Sequence, residues 1–294
     1  MIDEEAEQRR CRFCRTKLED TFADLGTSPL ANSYLRPTDL QKAEPFYPLH
    51  VSVCPSCFLV QLEELSSPES IFSDYAYFSS YSESWLEHCS RFSEEAIEKF
   101  KLNESSKVVE IGSNDGYLLR FFKEKQIGVL GVEPATNVAE AAQAAGIETV
   151  VRFFDSQLAE ELAAGGRQAD LIVGNNVLAH IPHTNDLLQG LKRLLKPGGV
   201  ISMEFPHLLK LIEENQFDTI YHEHFSYFSA TTAATIFAAH DLPLFDVEVL
   251  PTHGGSLRIY AGHRDGRGAV PSGRLTALLQ REEDKGLKEL ETYR

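Results

Sequence analysis

The chain has 294 residues, enough to bury a substantial core, and its 43% apolar and 24% charged content is that of a folded soluble protein. A formal net charge of −16 opposes contact with a polyphosphate backbone, which needs Lys and Arg to neutralise phosphates, so no nucleic-acid partner is expected. No run approaches the length of a membrane span, and the first ten residues lack an apolar core, so no membrane partner and no secretory leader are expected and the cytoplasm is the expected location.

Residues 1–68 carry Cys11-x-x-Cys14 and Cys54-x-x-Cys57. The two-residue spacing lets a tight turn aim both sulfurs at one tetrahedral ion, and four sulfurs leave no position for water, so a structural zinc is expected. Turn formers at Gly26-Thr27-Ser28-Pro29 and Arg36-Pro37, with short β-like runs such as Leu49–Val53, make this a small, loop-rich, metal-supported unit. Residues 69–104 form a helical, aromatic connector that also covers a site. It holds Asp74-Tyr75-Ala76-Tyr77-Phe78-Ser79-Ser80-Tyr81 and then an amphipathic stretch over 83–101, where Cys89 reads as a small buried apolar group.

From 105 to 263 strand-like runs alternate with helical ones. Strands are predicted at 108–111, 128–133, 148–154, 170–175 and 200–205, with helices at 116–126, 135–145, 156–164 and 184–196. Such alternation implies a parallel sheet with right-handed crossovers, covered by helices on both faces, that binds ligands at the carboxyl ends of its strands. After a helix at 230–240, Leu244–Leu250 and Ser256–Ala261 are joined by the turn Pro251-Thr252-His253-Gly254-Gly255, which makes them antiparallel. The fold class expected is therefore α/β: a Rossmann-like, mostly parallel sheet with an antiparallel final strand, preceded by a small zinc-binding domain. Residues 264–294 read as the charged, helical start of a truncated C-terminal region. Nothing in the sequence sets an oligomeric state.

Glu110-Ile111-Gly112-Ser113-Asn114-Asp115-Gly116 follows a strand and opens a helix, so its backbone can approach a ligand at the helix N-terminus. The loop lacks the third glycine of a dinucleotide fingerprint, which weighs against NAD. A second strand ends at Glu133-Pro134, where a carboxylate can accept hydrogen bonds from both ribose hydroxyls of an adenosine. Phe153, in Arg152-Phe153-Phe154, and Asn175-Asn176 fall where adenine and methionine would lie. The expected cofactor is S-adenosylmethionine, held by Glu110, Gly112, Asn114, Asp115, Gly116, Glu133, Pro134, Phe153, Asn175 and Asn176, which makes the sheet that of a class I methyltransferase.

The segment Tyr221-His222-Glu223-His224-Phe225-Ser226-Tyr227-Phe228 concentrates acid, base and phenol groups where it should hang over the crevice, and His180 can face the same space. An imidazole beside a carboxylate is a base suited to making an enolate. The Glu223/His224 pair lacks the helical spacing of a metal motif.

At these residues the chain resembles the nucleotide-sugar C-methyltransferases of deoxysugar biosynthesis. The resemblance covers the paired Cys-x-x-Cys, Asp74–Ser80, Glu110–Gly116, Asn175-Asn176 with His180, Tyr221–Phe228, and His253-Gly254-Gly255-Ser256-Leu257-Arg258. It implies methyl transfer to a ring carbon beside a ketone, on a small-molecule substrate in which the sugar is linked to a thymidine-type nucleotide. Carried to these positions, His224 or Glu223 is the base and the other assists it. Tyr221 and His180 hold the carbonyl oxygen, and Tyr75, Tyr77 and Asn176 border the substrate. Members of that family continue into a C-terminal domain that helps hold the nucleotide, and this chain is expected to lack it. The residues alone leave open a small-molecule O- or N-methyltransferase, or a non-catalytic scaffold with a zinc ribbon.

Overall fold

The computed structural model describes residues 9–65, 67–68, 72, 75–266 and 270–294. Its strands make two sheets. In the cysteine-bearing unit, β1 (Asp20–Ser28), β2 (Tyr47–Val53) and β3 (Val60–Leu62) pair antiparallel in that order. Gly26-Thr27-Ser28, read as a turn, is the end of β1. A bulge between Asp24 and Thr27 absorbs Gly26 at φ 74°, a conformation that glycine adopts without strain.

The second sheet has seven strands. Four of its parallel strands are β4 (Lys107–Ile111), β5 (Gly128–Val132), β6 (Thr149–Val150) and β7 (Ala169–Asn175), and the run continues through β8 (Leu195–Pro206). A short strand, β9 (Ser226–Tyr227), belongs to the other sheet, and β10 (Leu244–Leu250) and β11 (Ser256–Ala261) complete this one. The order is β10-β11-β8-β7-β4-β5-β6, with β11 antiparallel to both neighbours. Val108, Val109, Leu171 and Ile172 are wholly buried, as strands covered by helices on both faces require.

The sheet corrects some element ends. The predicted strand 148–154 shrinks to Thr149–Val150, because β6 is the sheet edge and the chain then leaves it, carrying Phe153 and Phe154 to the wall of a cavity. Helices are α1 (Glu83–Phe100), α2 (Leu119–Glu124), α3 (Thr136–Ala144), α4 (Ser156–Ala164) and α5 (Thr184–Leu194). Ser82 and Asp155 cap α1 and α4 by accepting from Trp85 N and Leu158 N. The predicted helix 116–126 begins only at Leu119, since the loop before it is occupied in the site below.

β9 is the piece that joins the two sheets. Val60 pairs with Tyr227 and Gln61 with Ser226, so residues from the segment 221–228 form the fourth strand of the cysteine-bearing sheet. Cys11, Cys54, Cys57 and Leu59 share one apolar cluster with Leu187, Phe228 and Phe237.

Residues 270–294 pack on this frame. α6 (Leu208–Glu214) and α7 (Ala230–Ala239) precede α8 (Gly273–Asp284), whose Leu275, Leu278 and Glu282 are buried. The Glu282 carboxylate accepts from Ala230 N (2.8 Å), Thr231 N (2.7 Å) and Thr231 Oγ1 (2.6 Å), and it lies 2.7 Å from His207 Nε2. Burial pushes its pKa up, but the bonds from His207 and Thr231 outweigh this and hold it below the usual carboxylate value. Its contribution to stability is therefore present above the unfolded carboxylate pKa, near 4.3, and is lost as pH falls through the lower folded value. Replacing Glu282 with Ala leaves a helix start and a buried imidazole without their acceptor and should cost about 3 kcal/mol in urea unfolding. A loss below about 0.5 kcal/mol would mean that this helix is a mere appendage.

Candidate active site

At the carboxyl ends of β4, β5, β7 and β8 lies a cavity of about 720 Å³. Gly112 reaches it with φ 67°, and a Cβ there would sit 2.4 Å from Val177 Cγ2, so only glycine lets the backbone run this close. Glu133 accepts from Asn114 N (2.8 Å) through Oε2 and from Ala135 N (2.9 Å) through Oε1. Burial raises its pKa, and those two N–H donors oppose the rise. Each oxygen keeps a lone pair for a further donor, which suits the two hydroxyls of a ribose.

The side chains of the same loop hold the aromatic connector down. Asn114 Oδ1 accepts from Ser79 N (2.9 Å) while its Nδ2 donates to Tyr77 O (3.0 Å), and Asp115 Oδ2 accepts from Ser80 N (3.2 Å). From α3, Asn137 grips Tyr75 by both backbone groups, N to Oδ1 at 3.1 Å and Nδ2 to O at 2.8 Å. Tyr75 and Tyr77 thereby join the cavity wall with Pro134, Phe153, Asn175 and Asn176. Asp74 lies outside the described residues.

Glu110, Asp115 and Gly116 are not on the wall. Glu110 is wholly buried beside the Tyr117 hydroxyl, and burial holds its pKa well above the carboxylate range. Tyr117 also approaches Asn175 and itself lines the cavity. Sequence reasoning missed Asn137, Tyr117, Trp85 and Asn32. Asn137 carries the one visible signal, an amide one residue inside a helix that starts beside the acidic strand end.

The segment 221–228 closes the far side. His224 Nδ1 lies 3.0 Å from Thr219 O, and a carbonyl can only accept, so the ring proton is on Nδ1 and Nε2 carries a lone pair. The Tyr221 hydroxyl, 3.0 Å away, donates to that Nε2. Burial, with the nearby His253 acting in the same sense, pushes the His224 pKa down to about 4 against the pull of the Thr219 carbonyl, so the ring is neutral at pH 7. His180 packs edge-on against His224 at 4.8 Å between centroids and is held neutral by burial and by that neighbour. Glu223 takes a different position. Its Oε1 accepts from Asn32 Nδ2 (2.7 Å), its Oε2 is buried with no hydrogen-bond partner among the described residues, and it does not line the cavity. Burial raises its pKa.

Backbone bonds fix the segment on both sides: Phe225 N donates to Ala179 O (2.8 Å) and Leu62 N to Phe225 O (3.0 Å). Arg12, between the first two cysteines, lies over the Phe225 ring and donates to Leu62 O and Pro182 O. Around it, Cys11 lies 3.6 Å from Cys57, and Cys14 lies 3.5 Å from Cys54 and 3.6 Å from Cys57. Four thiolates about 2.3 Å from a tetrahedral zinc lie roughly 3.8 Å apart, so this cluster fits that ion. Gln61 Nε2 donates to Cys11 Sγ at 3.3 Å, and its neighbour Val60 belongs to the same short strand that pairs with β9.

Three family models cover successive parts of the chain: a zinc binding domain over residues 11–72, a methyltransferase domain over 77–246 and a C-methyltransferase C-terminal domain over 251–294. The chain belongs to the methyltransferase-domain family. The match at 251–294 corrects the expectation that this chain lacks the C-terminal domain. Within that span β11 and α8 are built into the core rather than trailing from it. The chain is 37% identical over 254 residues to the C-methyltransferase NovU of Streptomyces niveus, an alignment that takes in 85% of this chain and 60% of NovU. The crystal structure of the PH0226 protein from Pyrococcus horikoshii shares the fold, with a TM-score of 0.50 at 14% identity over 66% of this chain and 97% of that one. The fold and the donor set at Gly112 and Glu133 suit S-adenosylmethionine, and the four sulfurs suit a structural zinc. Among the described residues no helix is long and apolar enough to cross a membrane.

Asn114→Ala should weaken S-adenosylhomocysteine binding about tenfold in calorimetry, because Ser79 N and Tyr77 O lose their partner and the connector loosens over the crevice. Zinc content should not change. Unaltered affinity would mean that the connector does not help to hold the cofactor.

Proposed function

We propose that this chain is an S-adenosylmethionine-dependent C-methyltransferase whose substrate is a keto-deoxysugar linked to a nucleotide of the thymidine diphosphate type. The observation that carries the reading is the fixed tautomer of His224, which presents a lone pair at Nε2 on the wall of the cofactor cavity. The 37% identity to NovU favours carbon as the methylated atom.

The cofactor, when bound, supplies an electrophilic methyl group. The chain has to supply a base, a place for the carbonyl oxygen and a space closed to water. His224 is the better base than Glu223. Its ring lines the cavity with Nε2 beside the Tyr221 hydroxyl, whereas the Glu223 carboxylate is tied to Asn32 and does not line the cavity. As Nε2 takes the proton from the carbon beside the carbonyl, the Tyr221 hydroxyl has to release its bond to that nitrogen, and it is then placed to donate to the new enolate oxygen. Burial makes the protonated ring unfavourable in the empty cavity, and the enolate's negative charge restores it once substrate is bound. Glu223, through its bond from Asn32, fixes the wall beside the base.

His224→Gln should lower turnover of a thymidine diphosphate-linked 4-keto-6-deoxyhexose by about 100-fold or more while leaving S-adenosylhomocysteine binding intact. Glu133→Ala should instead remove that binding. Equal activity of the His224 variant and the wild type would remove the base from this account. Because the base must be unprotonated, the acid limb of kcat/KM should fall only near pH 4, where the buried ring titrates, not near the ordinary histidine value of about 6.5. A limb at 6.5 would contradict the assignment.

A further inference from the structure

The turn between β10 and β11 carries a histidine for which the reaction above has no use. His253 has φ 51° and ψ 40°, and Gly254 and Gly255 follow at φ 75° and 117°. A left-handed side-chain-bearing residue costs about 1 kcal/mol or more and persists only where its surroundings fix it. Here they do, from two sides. Thr252 Oγ1 donates to Glu204 Oε1 (2.9 Å), and Gly255 N closes the turn on Thr252 O (2.9 Å). On the other side the His253 ring packs edge-on against Trp85 at 5.4 Å. Trp85 stacks on His88 at 5.0 Å, and His88 Nε2 lies 2.8 Å from Glu204 Oε2. The wholly buried Glu204 also takes a bond from Arg258, whose guanidinium lies 4.2 Å over the Phe92 ring. A buried carboxylate with a cation and an imidazole is expensive in a core, and this one supports a single turn.

His253 and His224 line the same cavity, near enough that charge on one ring disfavours charge on the other. Burial and His88 hold His253 below the ordinary imidazole pKa despite Glu204, so it is a neutral ring with one N–H. Neither of its nitrogens hydrogen-bonds another described residue, whereas the hydroxyl proton of Tyr221 is engaged by His224 before the substrate is deprotonated.

We propose that His253 is a further catalytic residue, donating a hydrogen bond to the substrate's carbonyl oxygen within the cavity it shares with His224, and that Thr252, Glu204, His88 and Arg258 are positioning residues for it. The inference rests on the carbonyl-bearing substrate proposed above. In the step, the C–H bond breaks with its proton going to His224 Nε2 and its electron pair into the enolate. His253 keeps its proton and stabilises the charge that develops on oxygen.

The test uses the full zinc-loaded chain with S-adenosylhomocysteine and a thymidine diphosphate-linked 4-keto-6-deoxyhexose in D2O, following exchange of the proton beside the carbonyl by NMR. No methyl is transferred, so proton removal is read alone. His253→Ala should slow exchange about 100-fold, with S-adenosylhomocysteine affinity and Tm unchanged. His253→Gln, which keeps an N–H donor, should recover most of the rate, and Thr252→Val should fall between the two. Exchange by His253→Ala at the wild-type rate, while His224→Gln is silent, overturns the role of His253 and leaves the proposed reaction standing. Binding of S-adenosylhomocysteine without exchange by the wild type overturns the substrate reading and this inference with it.

Discussion

Two backbone pairs, Val60 with Tyr227 and Gln61 with Ser226, are the constraint on which the rest of the molecule depends. They take the chain segment that carries the proposed base and make it a strand of the cysteine-bearing sheet. Without that pairing the segment 221–228 would lose its hold from β3 and keep the bonds to Thr219 and Ala179. With it, the metal cluster, Arg12 and the strand β3 form one side of a clamp, and Ala179, His207 and Glu282 form the other. The zinc is then structural in a particular sense: it holds the far wall of the cavity.

The same logic explains why so many ionisable groups are buried in a chain with a net charge of −16. Glu204, Glu223, Glu282 and Glu133 each hold a turn, a loop or a helix start rather than face solvent, and each has donors that offset its desolvation. His180 and His224 have no carboxylate partner among the described residues, and burial keeps them neutral. Neutral imidazoles on the wall of the cavity can accept or donate a proton without bringing a charge in advance.

Much of this was legible in the sequence because it rests on local patterns. The alternation of buried strand runs with helices set the large sheet, the Pro251–Gly255 turn set its antiparallel end, and the doubled Cys-x-x-Cys set the metal cluster. Glu133, Gly112, Asn176, Tyr75, Tyr221 and His224 do share one cavity. What was not legible depends on long-range pairing. Nothing local in Ser226-Tyr227 says that its partner is Val60-Gln61, and nothing in Asn32 says that it will bond Glu223. The charged pattern of residues 264–294 likewise hides one buried carboxylate on α8 that only the fold reveals.

Amide hydrogen exchange across residues 219–228, compared between the zinc-loaded protein and the same protein after chelation under reducing conditions, tests the clamp most directly. The account predicts that metal loss removes protection at Phe225, Ser226 and Tyr227 and in β3, while β4 and β7 at the centre of the large sheet stay protected. Unchanged protection of the 219–228 segment after metal loss would contradict it, and would mean that this wall of the cavity stands without the zinc.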